Sequence, residues 1–390
     1  MIVWPFFPNW SSRYVETYEH LTEIITSDSG KEQRRAWRAA ARRSVSYEAM
    51  VQRDRMQAMR RVLHDRPTGI AFPDEVRRLR LSAAASGQTI SLPDVPAWLT
   101  PGHHVVFEAP VSRVRVVRTV GNVSGNVVTF GDVQDHVAGT RVMPAFVGTL
   151  GGAQRGKIIT DGAMSLSVKL DVEPGSEIED SGFPMTTFRG REVLLHRPDW
   201  GQGLEMQSDD PTVWTDFLTT ARTPYRPVTF SGELLWTRHL LRNADEHNRV
   251  VGLFLRSRGR QGEFYAPSWA NDITLTAPVA AGATVFRVAG HEFHDAWGID
   301  LTRRSFMVRL RSGGLRFFRI ASMAKQTSGG VPSTAITVTA PTTDILSPDT
   351  VRAISWMPRC RFASDSLSVS WITDQAAEVQ LNLHTLEDLP

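Results

Sequence analysis

Along most of the chain, apolar and polar positions alternate in short runs broken by Gly, Pro, Asn or Asp. Val105-Val106-Phe107-Glu108, Arg113-Val114-Arg115-Val116-Val117-Arg118, Asn126-Val127-Val128-Thr129-Phe130 and Ser165-Leu166-Ser167-Val168-Lys169-Leu170 are such runs in the first half. The second half has Val285-Phe286-Arg287-Val288, Phe306-Met307-Val308-Arg309-Leu310, Ala335-Ile336-Thr337-Val338 and Leu367-Ser368-Val369-Ser370-Trp371. A period of two is what a strand with one buried face requires, because successive side chains point to opposite sides. The pattern predicts a mainly β fold, β-rich α+β, with few helices. Helical spacing is confined to four places. Segment 14–25 sets Tyr14, Tyr18, Leu21 and Ile25 three or four residues apart, and 47–63 does the same with Met50, Met56, Met59 and Leu63. Segments 236–241 and 250–255 are weaker. A Met-bearing stripe at helical spacing reads as core.

The chain repeats itself. Pro8-Asn9-Trp10 is echoed by Pro198-Asp199-Trp200, and Arg43-Ser44-Val45-Ser46-Tyr47 by Arg226-Pro227-Val228-Thr229-Phe230. Phe72-Pro73 with Leu79-Arg80-Leu81-Ser82-Ala83 returns as Ala266-Pro267 with Ile273-Thr274-Leu275-Thr276-Ala277. Ser165-Leu166-Ser167-Val168 returns as Ser366-Leu367-Ser368-Val369. The offsets are 190, 183, 194 and 201, in unchanged order, so they drift only by loop-sized amounts. Two related β-rich units are expected, each with a small inserted β barrel or sandwich. The divisions are 1–97 and 98–180 for the first unit and its β module, a linker at 181–197, where Ser181-Gly182 marks a turn, and 198–289 and 290–390 for the second unit and its module.

Composition adds little to this and excludes some chemistry. The 390 residues suffice for two or three domains with a sizeable core. Cys360 is the one cysteine, so no internal disulfide or multi-cysteine metal site can form, and a free buried thiol is expected. No run approaches the roughly 20 apolar residues that span a bilayer. The apolar start, Met1 to Pro8, holds two prolines and no basic leader, so it is not expected to be a signal peptide, and folding in the cytoplasm is expected. Net charge is only +3. Lys31, Lys157, Lys169 and Lys325 are the only lysines, and the stretch 31–80 carries 14 basic against 6 acidic residues. No nucleic-acid motif accompanies that charge, so sequence-specific nucleic acid is not an expected partner. Arginine suits planar pairing across protein interfaces.

Catalytic constellations are weak. Gly290-His291-Glu292-Phe293-His294-Asp295 is the densest polar cluster, but its histidines are three apart where the zinc-protease helix needs four, and it reads as a turn. His103-His104 reads as a surface loop. Ser86-Gly87 and Ser124-Gly125 lack the flanking glycine of a nucleophile elbow. Gly151-Gly152-Ala153-Gln154-Arg155-Gly156-Lys157-Ile158 puts Ile where a phosphate loop needs a hydroxyl. Asp209-Asp210 ahead of Pro211 reads as a helix start. The chain is expected not to be an enzyme, with no catalytic residue, cofactor or metal.

The segment Ser29-Gly30-Lys31-Glu32-Gln33-Arg34-Arg35-Ala36-Trp37-Arg38, continuing through Ala41-Arg42-Arg43-Ser44-Val45-Ser46-Tyr47-Glu48, resembles a signature of phage distal tail proteins, the tail-tip and baseplate ring components of long-flexible-tailed phages and gene transfer agents. Gly262-Glu263-Phe264-Tyr265-Ala266-Pro267-Ser268-Trp269 with Asp272-Ile273, and Cys360-Arg361-Phe362-Ala363-Ser364-Asp365 through Trp371-Ile372-Thr373-Asp374, are similar to the same group. Members often have one such unit and about half this length, and the second half here lacks the Glu-Gln-Arg segment. A distal tail ring protein and an adjacent hub-like protein both fit. The resemblance implies a structural protein of the virion tail, assembled in the host cytoplasm. It implies β-sandwich or tail-tube-like units that form a ring, which the duplication would allow as a trimer with pseudo-sixfold symmetry and undivided subunits as a hexamer. Its partners would be the tail tube protein, the hub protein, the tape measure protein and receptor-binding proteins, without membrane insertion. Glu32, Arg34, Arg35 and Trp37 become the expected subunit contacts. Two other readings stay open: a carbohydrate-binding module using Trp98, Trp269 or Trp297, and a cell-wall or polysaccharide hydrolase.

Overall fold

The computed structural model describes residues 1–27, 31–133, 135–175, 185–208, 212–216, 222–225, 232–298, 303–328 and 330–388. The protein is mainly β and sandwich-like, with three short helices among the described residues.

The first unit opens with β1 (Ile2–Val3), β2 (Tyr14–Glu19), a hairpin of β3 (Thr22–Thr26) and β4 (Glu32–Ala36), and the long β5 (Arg42–Gln52). β5 shows why it is a strand. Its odd positions Arg43, Val45, Tyr47, Ala49 and Val51 are buried and its even ones face outward or half outward. Helix α1 (Asp54–Asp65) follows, burying Met56 and Met59, and stops where Arg66 turns left-handed at φ 41°. β6 (Ile70–Pro73) then runs parallel to β1. A module is inserted here: β7 (Leu79–Arg80), β8 (Thr89–Ser91), β9 (His104–Glu108), β10 (Arg115–Ser124), β11 (Val127–Phe130) and the first part of β12 (Arg141–Leu150). The second part of β12 returns to the parent sheet beside β6, and the hairpin β13 (Arg155–Thr160) and β14 (Ala163–Val172) completes it, with β14 antiparallel to β5.

The second unit runs through the same order. A small hairpin, β15 (Thr187–Phe188) and β16 (Arg191–Glu192), leads to β17 (Glu205–Ser208), the hairpin β18 (Val213–Asp216) and β19 (Arg222–Tyr225), and the long β20 (Glu233–Leu241). Helix α2 (Ala244–Arg256) is capped at its N-terminus by side chains. Asn243 Oδ1 accepts from Glu246 N at 2.9 Å, and Glu246 Oε2 accepts from Arg242 N at 2.8 Å. Next come β21 (Phe264–Tyr265) and an inserted module of β22 (Val285–Ala289), α3 (Glu292–Trp297), β23 (Ser305–Leu310), β24 (Leu315–Ser328), β25 (Val331–Val338) and β26 (Val351–Trp356). β27 (Arg359–Phe362), β28 (Ser366–Trp371) and β29 (Ala377–Leu386) end the parent sheet.

Shared hydrogen bonds fix which residues correspond. Trp4 N–H donates to Ala71 O at 2.9 Å, and Leu194 N–H to Tyr265 O at 2.8 Å. Asn9 N–H donates to Glu48 O at 2.6 Å, and Asp199 N–H to Arg238 O at 2.7 Å. Asp74 N–H donates to Pro144 O, and Ser268 N–H to Trp356 O, both at 2.8 Å. The ladders agree: β2·β5, β5·β14, β13·β14 and β6·β12 match β17·β20, β20·β29, β28·β29 and β21·β27. The two modules match as well, pairing in the order β8·β11·β10·β9·β12 and β22·β25·β24·β23·β26. Each carries a bulge at the same place, between Val120 and Asn122 and between Ile320 and Ser322. In the second module single bridges from Ile273 to Ile354 and from Leu275 to Val288 link the sheet's two edges without a ladder, so the sheet is rolled, not a closed barrel.

Several expectations need correction. Segment 14–25 is not a helix but β2 and the first strand of a hairpin. Tyr14 and Tyr18 are four apart, which a strand also places on one face, and the buried Glu16 between them masked the alternation. Residues 47–52 belong to β5, and only the later part of 47–63 is helical. Segment 236–241 is strand β20, whereas 250–255 lies in α2. Residues 291–295 are not a plain turn, since Glu292–Trp297 forms α3. The echoes at Pro8-Asn9-Trp10 and Phe72-Pro73 coincide with the hydrogen-bonded correspondence. The echo of 165–168 in 366–369 does not. It matches β14 to β28, whereas β14 corresponds to β29 and β28 to β13, and alternation alone cannot tell one strand from another. The echo of 43–47 in 226–230 does not either, since Arg43 to Tyr47 correspond to Glu233 to Thr237; residues 226–230 themselves, the Ser181-Gly182 turn and Asp209-Asp210-Pro211 lie outside the described residues. The inserted modules also begin before residues 98 and 290. β8 pairs with β11, and Ile273 already bridges to β26.

Candidate assembly interface

The two units meet through an antiparallel ladder between β2 of the first and β28 of the second, from Tyr14 facing Trp371 to Glu19 facing Ser366. This ladder makes the parent strands one continuous sheet system. One hydrophobic cluster runs through both units, from Trp4 and Tyr47 to Val250, Val369 and Leu381.

A charge network is buried at the seam. Arg43 Nη2 lies 2.8 Å from Glu16 Oε1 and 3.5 Å from Asp74 Oδ2, and Arg77 Nη1 lies 2.9 Å from the same Asp74 oxygen. Tyr18 Oη donates to Glu16 Oε2 at 3.0 Å, and His247 Nε2 of α2 lies 3.3 Å from it. Burial alone would raise the Glu16 carboxyl, but Arg43 and His247 outweigh it and hold it well below the usual carboxylate range. Burial likewise opposes the Arg43 charge, yet the surrounding acids and tyrosines raise that group well above its ordinary value.

The β3–β4 hairpin supplies a second set of contacts across the seam. Glu32 accepts two bonds from Arg361, at 2.9 and 2.7 Å. Arg34 pairs with Glu263 and donates to Gln261 O at 3.1 Å, and Glu263 also accepts from Arg191 at 2.9 Å. Asp365 accepts from Thr22 N at 2.7 Å and Arg260 N at 2.9 Å. Of the residues expected at subunit contacts, Glu32 and Arg34 therefore bind the second unit of the same chain. Arg35 and Trp37 stay at the surface, with the guanidinium 4.3 Å from the indole centroid.

The corresponding surfaces at the far ends are open. β13, which matches β28, pairs only with β14 among the described residues, and all six of its residues are exposed, Ile158 at 60% and Ile159 at 51%. Among the described residues β17, which matches β2, pairs only with β20, and its Met206 is 66% exposed. The β18–β19 hairpin, which matches the seam hairpin, pairs only within itself among the described residues, with Trp214 and Tyr225 each 61% exposed.

Beside β17 lies a cavity of about 390 Å³, lined by Leu204, Thr237, His239, Ala266, Trp269 and Trp356 among others. At six of the matching positions the first unit carries the larger side chain, whereas Trp269 and Trp356 stand where it has Glu75 and Pro144. Trp4, Phe6, Tyr14, Tyr47, Phe72 and Phe146 correspond to Leu194, His196, Leu204, Thr237, Ala266 and Pro358. The cavity is the space those rings would fill. His239 stands where the first unit has Ala49, and burial pushes its imidazole down to about 3.

Other candidates fall elsewhere. His291 Nε2 contacts Gln326 O at 3.0 Å, and His294 and Lys325 both pair with Asp295. No group of three His, Cys, Asp or Glu side chains is poised for a metal among the described residues. His104 opens β9 and contacts Thr119 Oγ1 at 3.0 Å. Cys360 is a free buried thiol, raised by burial. Trp98 packs on the first module, and Trp297 and Trp356 sandwich Arg303 at 3.9 and 3.6 Å. No described helix is long and apolar enough to cross a membrane. No protein-family model matches the chain, and no curated protein matches it. The open edges carried no motif, and their only signal in the sequence was the repeat. The seam residues Glu32, Arg34, Arg43, Glu263, Arg361 and Asp365 fall in segments the sequence had already singled out.

Proposed function

We propose that this chain is a structural component of a bacteriophage tail tip, internally duplicated, which forms a ring joining the tail tube to the hub and receptor-binding apparatus. One observation carries the reading: two units of one architecture are joined through β2 and β28, while the matching edges β17 and β13 stay unpaired among the described residues. A head-to-tail contact of this kind yields a ring where its rotation closes and a filament where it does not, and the closed form is the one that fits a tail tip. Three chains with two units each would give pseudo-sixfold symmetry. The likeness of segment 29–48 to distal tail proteins supports the place in the virion and the partners there. The role is architectural, with wide interfaces that frame a conduit, and no catalytic step is assigned.

The experiment is mass photometry with negative-stain microscopy on the purified full chain. Trimers or hexamers with a central opening are expected. A monomer at every concentration refutes the ring.

The cavity favours a second reading. Trp200, Trp269 and Trp356 offer aromatic faces of the kind that stack on sugars, as in a carbohydrate-binding adhesion module. Binding on a glycan array that is lost in Trp269→Ala would support it, and a silent array would remove it.

A further inference from the structure

We propose that β17 of one copy pairs antiparallel with β13 of a second copy, in the register that β2 and β28 use inside the chain. The proposal deepens the ring reading above and rests on it.

The register follows from the ladders. On β2, Val15 faces Ser46 of β5 on one side and Ser370 of β28 on the other. Ser46 corresponds to Trp236, which faces Glu205 on β17, so Glu205 takes the place of Val15. On the other edge, Trp371 faces Ala377 of β29. Ala377 corresponds to Met164, because Leu241 faces Ala377 as Val51 faces Met164. Met164 faces Ile158 on β13, so Ile158 takes the place of Trp371 and Lys157 that of Ser370.

Carried between chains, this register sets Leu204 opposite Ile158, Glu205 opposite Lys157, Met206 opposite Gly156 and Gln207 opposite Arg155. An acid meets a base, an apolar residue meets an apolar residue, and a large side chain meets none. Directly opposed opposite charges stabilise a strand pair, whereas like charges oppose it. Neither edge is blunted by a proline or a covering element among the described residues, and exposed, apolar-bearing edges of this kind template strand addition. The occupant is a second copy of this chain, because the internal seam already shows the contact that the two edges would reproduce.

The test uses the full chain carrying Lys157→Cys with Glu205→Cys. Directly opposed residues bring their Cα atoms within disulfide reach, and the native Cys360 is buried away from both. Oxidation is expected to give covalent multimers ending at the ring size on a non-reducing gel. An off-register pair, Lys157→Cys with Ser208→Cys, is expected to give none. Equal cross-linking of both pairs overturns the register. A wild-type chain that assembles while neither pair cross-links overturns the edge pairing and leaves the ring. A wild-type monomer without cross-linking removes both. As a second measurement, Glu205→Lys is expected to weaken association roughly fivefold, and Lys157→Glu in the same chain is expected to restore it. Both side chains are exposed, so folding is preserved. Failure of the reversed pair to recover counts against the proposal.

Discussion

The first unit fills with aromatic rings the space that the second leaves as a cavity, although both hang on the same hydrogen-bond frame. Trp4, Phe72 and Phe146 are buried in one, and Leu194, Ala266 and Pro358 take their places in the other. The seam charges differ too. Glu16, Arg43 and Asp74 become Met206, Glu233 and Ser268, and Glu233 is bound by Arg303 at 2.8 Å. The inserted modules show the same freedom. Arg118, fully buried against Phe130 and paired with Asp132 at 3.0 Å, sits where the other module has Phe318 among phenylalanines. Main-chain ladders thus tolerate wide changes of side chain, because they bond through groups every residue carries. What changed is the surface each unit offers: the first unit's β2 edge is covered by its sister unit, and no described residue pairs with the outer edge of the second unit's β17.

The largest difference between the units is expected on removing the seam cation. Arg43→Met leaves Glu16 buried without its arginine and Asp74 with Arg77 alone, and should cost about 3–5 kcal/mol in urea unfolding. Glu233→Gln at the matching position should cost about 1 kcal/mol. Equal losses would mean that the two sites are not distinguished by burial. Next comes packing. Phe72→Ala should cost about 3–4 kcal/mol, whereas the reciprocal Ala266→Phe should gain about 1 kcal/mol by filling the cavity. A loss in the latter would show that the cavity walls cannot accept the ring.

Acid titration separates the units further. His239 protonates near 3 in the folded chain and at about 6.5 when unfolded. Between those values the unfolded state binds more protons, so stability falls as pH falls. His239→Ala, the residue of the other unit, should flatten that slope. Glu16 acts lower. Its folded value lies below the unfolded value of about 4.3, so its contribution is complete above that pH and is lost as pH falls through the folded value. Glu16→Gln should flatten the slope only in this acid range. Stability measured at stepped pH checks both. The smallest effect is expected at the surface, where Arg35→Ala breaks the stack on Trp37 and should cost about 0.5 kcal/mol.

The sequence by itself determined that this chain is β-rich, because inward alternation in β14, β22 and β28 is written residue by residue. It also announced the repeat, since Pro-Asx-Trp and the Pro that ends β6 sit at turns where few residues serve. Only the tertiary structure decided that Tyr14 and Tyr18 belong to a strand, because an acid buried among them is permitted only by an arginine on the neighbouring strand. It alone paired β14 with β29 as equivalents, since strands of one period look alike until their neighbours are known. The open edges and the cavity likewise belong to the fold, because each is defined by what a distant segment does or does not bring to it.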